Sequence, residues 1–497
     1  MILPGKVWRF LRWSLIGLAG VALLGGVFVL AENWRGARAW HAYAERCAAA
    51  GDPVDVFPAP SSLPPERNFM RTPLLDRLLF AKDGSAELKE FEQTLSSPEM
   101  ASGALQAWRK GGMVDLAAIG GIKPPEGAEV TALRTAYLAG VNWILTANTQ
   151  PGVSAILEEL RQAVAARADS QVMRPLAMTR AMPPDIPMPR FVVVRRLSNA
   201  LVTDACAAMA KGDGDRAWSD VMATARLVRG FSDMPDGCLV DAMIGVVLAN
   251  AMGQSIWEAW VRHSWSDPQW AQLQQELLRI EPMRSLERSM RVERAFVVNT
   301  LQNVPVERIL EPAATWDDPP PWWAVSFRSV PGWVQQNKIS AAKSLSDRAV
   351  LLGRWGTPGF LDQLRQDGAL RLAAGGRVTP YDVLAQVATP SYDKVTDNAL
   401  MAENNVALAV TVCALERYRL AHGGYPEALA EVAPAYVDAV PRDGIDGQPL
   451  RYRRLADGVF KLYSVGLNGT DDDGAISDWK TAEGRRIGDW CWPQPAK

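Results

Sequence analysis

Helical periodicity dominates the apolar pattern of the chain. The first apolar block, Trp13–Ala31 (WSLIGLAGVALLGGVFVLA), runs nineteen residues without a charge. Coiled into a helix it extends about 28 Å, close to the roughly 30 Å hydrocarbon core of a bilayer, so it is expected to cross a membrane once. Glu32–Ala50 continues the helical pattern, with Gly36 as its one breaker. Six prolines between Pro53 and Pro73 then favour extended backbone, as a semi-rigid spacer or a strapped-down arm.

From about Leu74 to Gln302 the period is again helical. Leu197, Leu201, Ala205 and Ala208 form one stripe, and Trp218, Val221, Met222, Ala225 and Val228 form another. Gly212-Asp213-Gly214 separates them, which predicts a helical hairpin. Two helices of small residues joined by a Gly-Asp turn resemble a tetratricopeptide-type unit over about one repeat length. Asp267 before Pro268 marks a further helix start, with Trp270, Leu273, Leu277 and Ile280 on one face. Proline-rich segments at 182–190 and 312–333 interrupt the helices. The second carries Trp316, Trp322, Trp323 and Trp333, which suit a stacking surface, a belt on a membrane interface, or indoles capping a helical core.

Charge orients the anchor. Lys6, Arg9 and Arg12 precede the apolar block, while Arg35 and Arg38 follow it together with Glu32. Translocating the short basic tail is the harder option, which leaves it in the cytoplasm and exports the rest. Val29-Leu30-Ala31 also fits a signal-peptide cleavage site; the block exceeds the roughly 7–15 apolar residues of such a peptide, which favours an uncleaved anchor. Net charge is −2 over 497 residues. That balance argues against nucleic acid as a partner. Cys47, Cys206, Cys238, Cys413 and Cys491 are scattered without a CxxC pair, so they read as buried small hydrophobes, with Cys206 and Cys238 the one pair considered for a bridge.

The usual catalytic signatures do not occur in the sequence. His41, His263 and His422 sit in no metal-ligand or triad spacing, and there is no GxxxxGK[ST], strand-placed GxGxxG or GxSxG. Adjacent carboxylates such as Glu158-Glu159 point apart on a helix and read as solvated charges. No catalytic residue is assigned.

The last hundred residues change character. Asp397–Leu420 reads as a helix ended by Gly423-Gly424, followed by turns and by two alternating segments, Pro449–Leu455 and Val459–Gly466. Ala456-Asp457-Gly458 joins these as a hairpin. LERYRLAHGGYP, VPRDGIDGQPLRY and KLYSVGLNGTDDDG, in this order, resemble the head of the type II secretion major pseudopilin. The resemblance covers about one fifth of the chain. It implies a small α+β domain whose last loop encloses Ca²⁺, with Asp471, Asp472, Asp473 and Asp478 as the available ligands. Calcium wants six to eight oxygens, which loop carboxylates and carbonyls can supply. The competing reading of TDDDG is a solvated turn, since Asp and Gly dominate turns without an ion.

The chain is thus expected to be mainly α. It comprises a cytoplasmic tail (1–12), a transmembrane helix (13–31), a helix and Pro-rich linker (32–73), a helical body (74–396) and a pseudopilin-like α+β domain (397–497). The function expected is binding or scaffolding in the bacterial envelope, single-pass in the inner membrane, facing the periplasm and meeting a protein partner there. A type II secretion subunit and an exported hydrolase are the alternatives.

Overall fold

The computed structural model describes residues 5–95, 104–123, 129–148, 151–175, 187–306, 309, 326–374, 379–389, 392–475 and 488–495. The protein is mainly helical. Its first helix, Gly5–Ala49, is continuous for 45 residues, about 67 Å at 1.5 Å per residue. Gly36 does not break it. This first helix packs on the helix Pro331–Leu352, which packs in turn on Pro282–Asn303.

Deeper in the body three helices lie against one another: Phe191–Ala210, Gly214–Ser232 and Leu239–Arg262. The first two form the expected hairpin. Gly212 takes φ +82, a left-handed value that a side chain would strain, and Asp213 Oδ1 then caps the second helix by accepting from Arg216 N at 3.1 Å. Both apolar stripes point inward; Leu197, Leu201, Val221, Ala225 and Val228 are buried. Arg161, on the helix Pro151–Ala166, reaches Asp204 and Asp220 at 2.7 Å each, pairing two buried carboxylates between the hairpin helices. Helix Asp267–Leu277 begins one residue earlier than the Asp-Pro signal suggests. Ser266 is its N-cap, in a reciprocal capping box with Gln269, and Trp270 is buried.

The proline-rich arm is strapped down. Asp52 accepts from Arg294 at 2.5 and 2.7 Å, Val54 is buried beside Val298 and Ala342, and Phe57 meets Phe296 edge-on at 5.2 Å. The cysteines are all free, and burial pushes the Cys206 and Cys238 thiols upward, as expected of buried hydrophobes.

The last long helix spans Asp393–His422, so position 397 lies one turn inside it. Gly423 ends it at φ +80, with its N–H on Arg419 O at 2.8 Å. It packs against Asp267–Leu277, Leu239–Arg262 and Pro282–Asn303. Three short antiparallel strands follow in the order β1 (Arg451–Arg454), β2 (Phe460–Ser464) and β3 (Trp490–Trp492). The β1–β2 hairpin turns where the sequence places it, with Gly458 at φ +84. The sheet shares the body's core: Trp260 lies 5.4 Å from Phe460 and 6.3 Å from Trp492, and Trp257 Nε1 donates to Pro493 O at 2.9 Å.

Candidate functional site

Among the described residues, three helices are long and apolar enough to cross a membrane. They differ in what surrounds them. None of the apolar window within Trp8–Ala49 is buried, whereas 72% and 78% of the windows in Leu239–Arg262 and Asp393–His422 lie inside the protein. Leu239–Arg262 also holds Asp241, fully buried against Arg174, and Glu258, which accepts from Val114 N at 2.8 Å and Gln254 Nε2 at 3.0 Å. Drawing these groups into lipid would strip them of their partners, at several kcal/mol each. The apolar block of the first helix has no such charge to satisfy.

Where the first helix leaves this block it crosses the helix Pro331–Leu352 backbone to backbone. A Cβ on Gly36 would stand 2.3 Å from Gly332 O, and one on Gly332 would stand 2.2 Å from Glu32 O. Only glycine fits on either side. Asn33 Oδ1 accepts from Gly332 N at 2.9 Å, Trp333 Nε1 donates to Glu32 Oε2 at 3.2 Å, and Phe28 meets the Trp333 ring edge-on at 6.5 Å. Further along, Lys338 stands 3.8 Å above the Trp40 ring, and burial lowers its ammonium pKa to about 8. The two helices therefore run parallel, away from the apolar block. Of the tryptophans near 312–333, Trp316, Trp322 and Trp323 lie outside the described residues; Trp333 is this crossing's half-buried wedge.

The aspartate loop is built differently. Asp471 Oδ1 accepts from Tyr463 OH and from Asp473 N, both at 2.9 Å. Asp472 Oδ2 accepts from Asn468 Nδ2 at 2.9 Å. Asp473, at φ 55, turns to Arg453 and Lys461, each 3.3 Å away; the Lys461 hydrogen bond holds its carboxyl below the ordinary range. Asp478 lies outside the described residues. The three described aspartates thus face three different sets of donors, and among the described residues no three His, Cys, Asp or Glu side chains gather as a metal-holding group.

Two further acids organise the loop. Asp489, buried at the start of β3, accepts from the backbone N–H of Asp472 at 3.0 Å and of Gly474 at 2.8 Å. Asp443, fully buried, accepts from Val465 N at 2.8 Å, Ile445 N at 2.9 Å and Ser464 Oγ at 2.9 Å. Burial raises its pKa to about 6 despite these donors. Asp443 lies in the VPRDGIDGQPLRY segment, and Asp489 in none of the quoted motifs. The alternation Trp490-Cys491-Trp492 is the signal that places Asp489 beside a strand.

One acid–base grouping also emerges. Glu416, buried, accepts from Tyr425 OH, from His263 Nδ1 at 3.1 Å and from Arg419 Nη2 at 2.9 Å. Burial opposes its ionisation, but the His263, Arg419 and Tyr425 donors outweigh that and keep its pKa below the usual carboxylate value. His263 caps Leu239–Arg262 in the left-handed region at φ 50. Among the described residues no hydroxyl or thiol is hydrogen-bonded to His263, and the grouping ties the ends of two helices together. Glu158 and Glu159 do diverge, toward Gln162 and toward Leu74 N. Comparison with known families, curated proteins and solved structures finds no match to this chain.

Proposed function

We propose that the protein is a single-pass component of the bacterial envelope. Trp13–Ala31 anchors it in the inner membrane, residues 1–12 stay in the cytoplasm and the body faces the periplasm, where it binds or scaffolds a protein partner. The observation that carries this reading is the contrast among the three apolar helices: one is bare along its apolar block, and two are packed inside with buried acids. The basic residues Lys6, Arg9 and Arg12 support the orientation. The motifs shared with the pseudopilin head support an α+β C-terminal unit on this body and leave a secretion-related role as the partner class to test first. A Ca²⁺ site at Asp471, Asp472, Asp473 and Asp478 belongs to the same proposal, and it competes with the protein donors that hold the loop.

Reporter fusions test the topology. Alkaline phosphatase joined after residue 60 should be active, and a fluorescent reporter that folds only in the cytoplasm should be dark there. The reverse pattern would overturn the exported body.

A further inference from the structure

The crossing fixes more than attachment. Glu32 is the first charge after the apolar block, so the outer edge of the hydrocarbon lies near Ala31. Phe28 stands about 4–5 Å below that level, at 1.5 Å per residue. Its ring nonetheless touches Trp333, which belongs to the body. The Trp333 indole consequently straddles the boundary, packed on Phe28 below and hydrogen-bonded to Glu32 above. Phe327 packs against the same indole at 5.5 Å, which brings the turn Ser326–Ser329 to this depth. Arg328, Ser329 and Pro331 are exposed there.

The surroundings have the composition of a membrane interface. Trp34 is 65% exposed, and Arg38 lies over its ring at 5.3 Å. Tyr381 is 36% exposed under the Arg35 guanidinium at 5.0 Å. Aromatic rings with a polar edge settle at headgroup depth, and arginines beside them meet phosphate. Glu32, an acid in this ring, is paired with Arg35 at 2.8 Å, and Asp382 accepts from Thr379 N and Oγ1.

We propose that Ser326–Val334, with Trp34 and Tyr381, forms a foot seated in the headgroup layer of an anionic phospholipid bilayer. The body is then held on the membrane in one orientation rather than swinging on a tether. This rests on the membrane reading of Trp13–Ala31, and the experiment separates the two. The full chain carrying C47S and C491S is reconstituted in vesicles of phosphatidylcholine and phosphatidylglycerol. A polarity-sensitive fluorophore is attached singly to L18C, S329C or T357C. Thr357 follows the C-terminal end of Pro331–Leu352, about 33 Å from that helix's first turn.

Nitroxide on the lipid headgroup should quench the label at 329 several-fold more than the label at 357, and nitroxide deep in the acyl chain should quench the label at 18. If 329 and 357 are quenched equally weakly while 18 is quenched, the foot is overturned and the anchor stands. Should the label at 18 also escape quenching, the membrane reading fails and the foot with it. Vesicles of phosphatidylcholine alone should weaken quenching at 329 and leave it unchanged at 18. Equal quenching at 329 in both vesicles would overturn the anionic preference.

Discussion

The helix crossing at Gly36 and Gly332 and the aspartate loop at 471–473 are both rich in residues that break regular structure, and they use them in opposite ways. At the crossing the missing side chains let two backbones touch, and the contact is close, hydrogen-bonded through Asn33 and Glu32, and tolerant of nothing larger. In the loop the side chains face outward to Arg453, Lys461 and Tyr463, and solvent reaches most of them. A glycine can therefore be a contact as readily as a turn, and an acidic run can be a set of ion pairs as readily as a site. Neighbours decide which.

The largest effect should come from filling the crossing. Gly332→Leu places carbon atoms against the Glu32 carbonyl, backbone that cannot rotate aside, and about 3 kcal/mol or more of destabilisation is expected. Chemical denaturation followed by tryptophan fluorescence measures it. In vesicles the same variant should expose the foot, so that a label at residue 329 loses its headgroup quenching. Unchanged midpoint and quenching would mean the helices are not in contact there.

At the root of the loop the effect depends on pH. The carboxyl of Asp443 titrates near 6 in the folded protein against an ordinary value of 3.8. Its folded-state pKa is raised, so the stability it contributes is complete below about pH 4 and is lost as pH rises through 6. Roughly 2–3 kcal/mol is at stake across that window. Asp443→Asn cannot ionise, and its midpoint should fall less than the parent's between pH 4 and pH 7. Parallel pH profiles for parent and variant would show that the group is already charged when folded.

Much of the fold could be read from spacing alone. The nineteen uncharged residues, the Gly-Asp hairpin turn, the inward face from Trp270 to Ile280 and the β1–β2 turn all follow from local periodicity and turn chemistry, which need no knowledge of distant residues. The crossing was not legible in the same way, because Gly36 and Gly332 are some three hundred positions apart and nothing at either one announces the other. Asp489 and the His263–Glu416 pair were hidden for the same reason. The pairing of Asp473 with Arg453 and Lys461 depends on β1 and β2 delivering two cations to one side, a consequence of register. The apolar side of the C-terminal helix Asp393–His422 packs on neighbouring helices of the body, contacts that no local spacing specifies.

Removing Asp489 should matter less than either change above. Asp489→Ala leaves the N–H groups of Asp472 and Gly474 without their shared acceptor, which is expected to cost about 1–2 kcal/mol because solvent can replace it in part. Asp489→Asn should recover much of this, since an amide oxygen accepts the same two donors. If alanine and asparagine are equally harmful, the carboxylate's charge and not its hydrogen bonds orders the loop.

The smallest effect, and the one that bears most directly on Ca²⁺, concerns Asp473. Exposed ion pairs contribute little, so Asp473→Asn by itself should barely move the melting temperature. Arg453 and Lys461 nevertheless compete with any cation for the same carboxylate, because each neutralises charge that Ca²⁺ would otherwise use. The double variant R453Q/K461Q frees Asp473 beside Asp471 and Asp472, and millimolar Ca²⁺ should then raise the melting temperature of the full chain more than it does in the parent. Magnesium should substitute poorly, since it demands tighter octahedral geometry and gives up its water reluctantly. A calcium response in the double variant that disappears with D471N would place the ion at these carboxylates. No response in either protein, with the double variant melting lower than the parent, would show that the two basic side chains are the loop's own counterions and that TDDDG needs no metal.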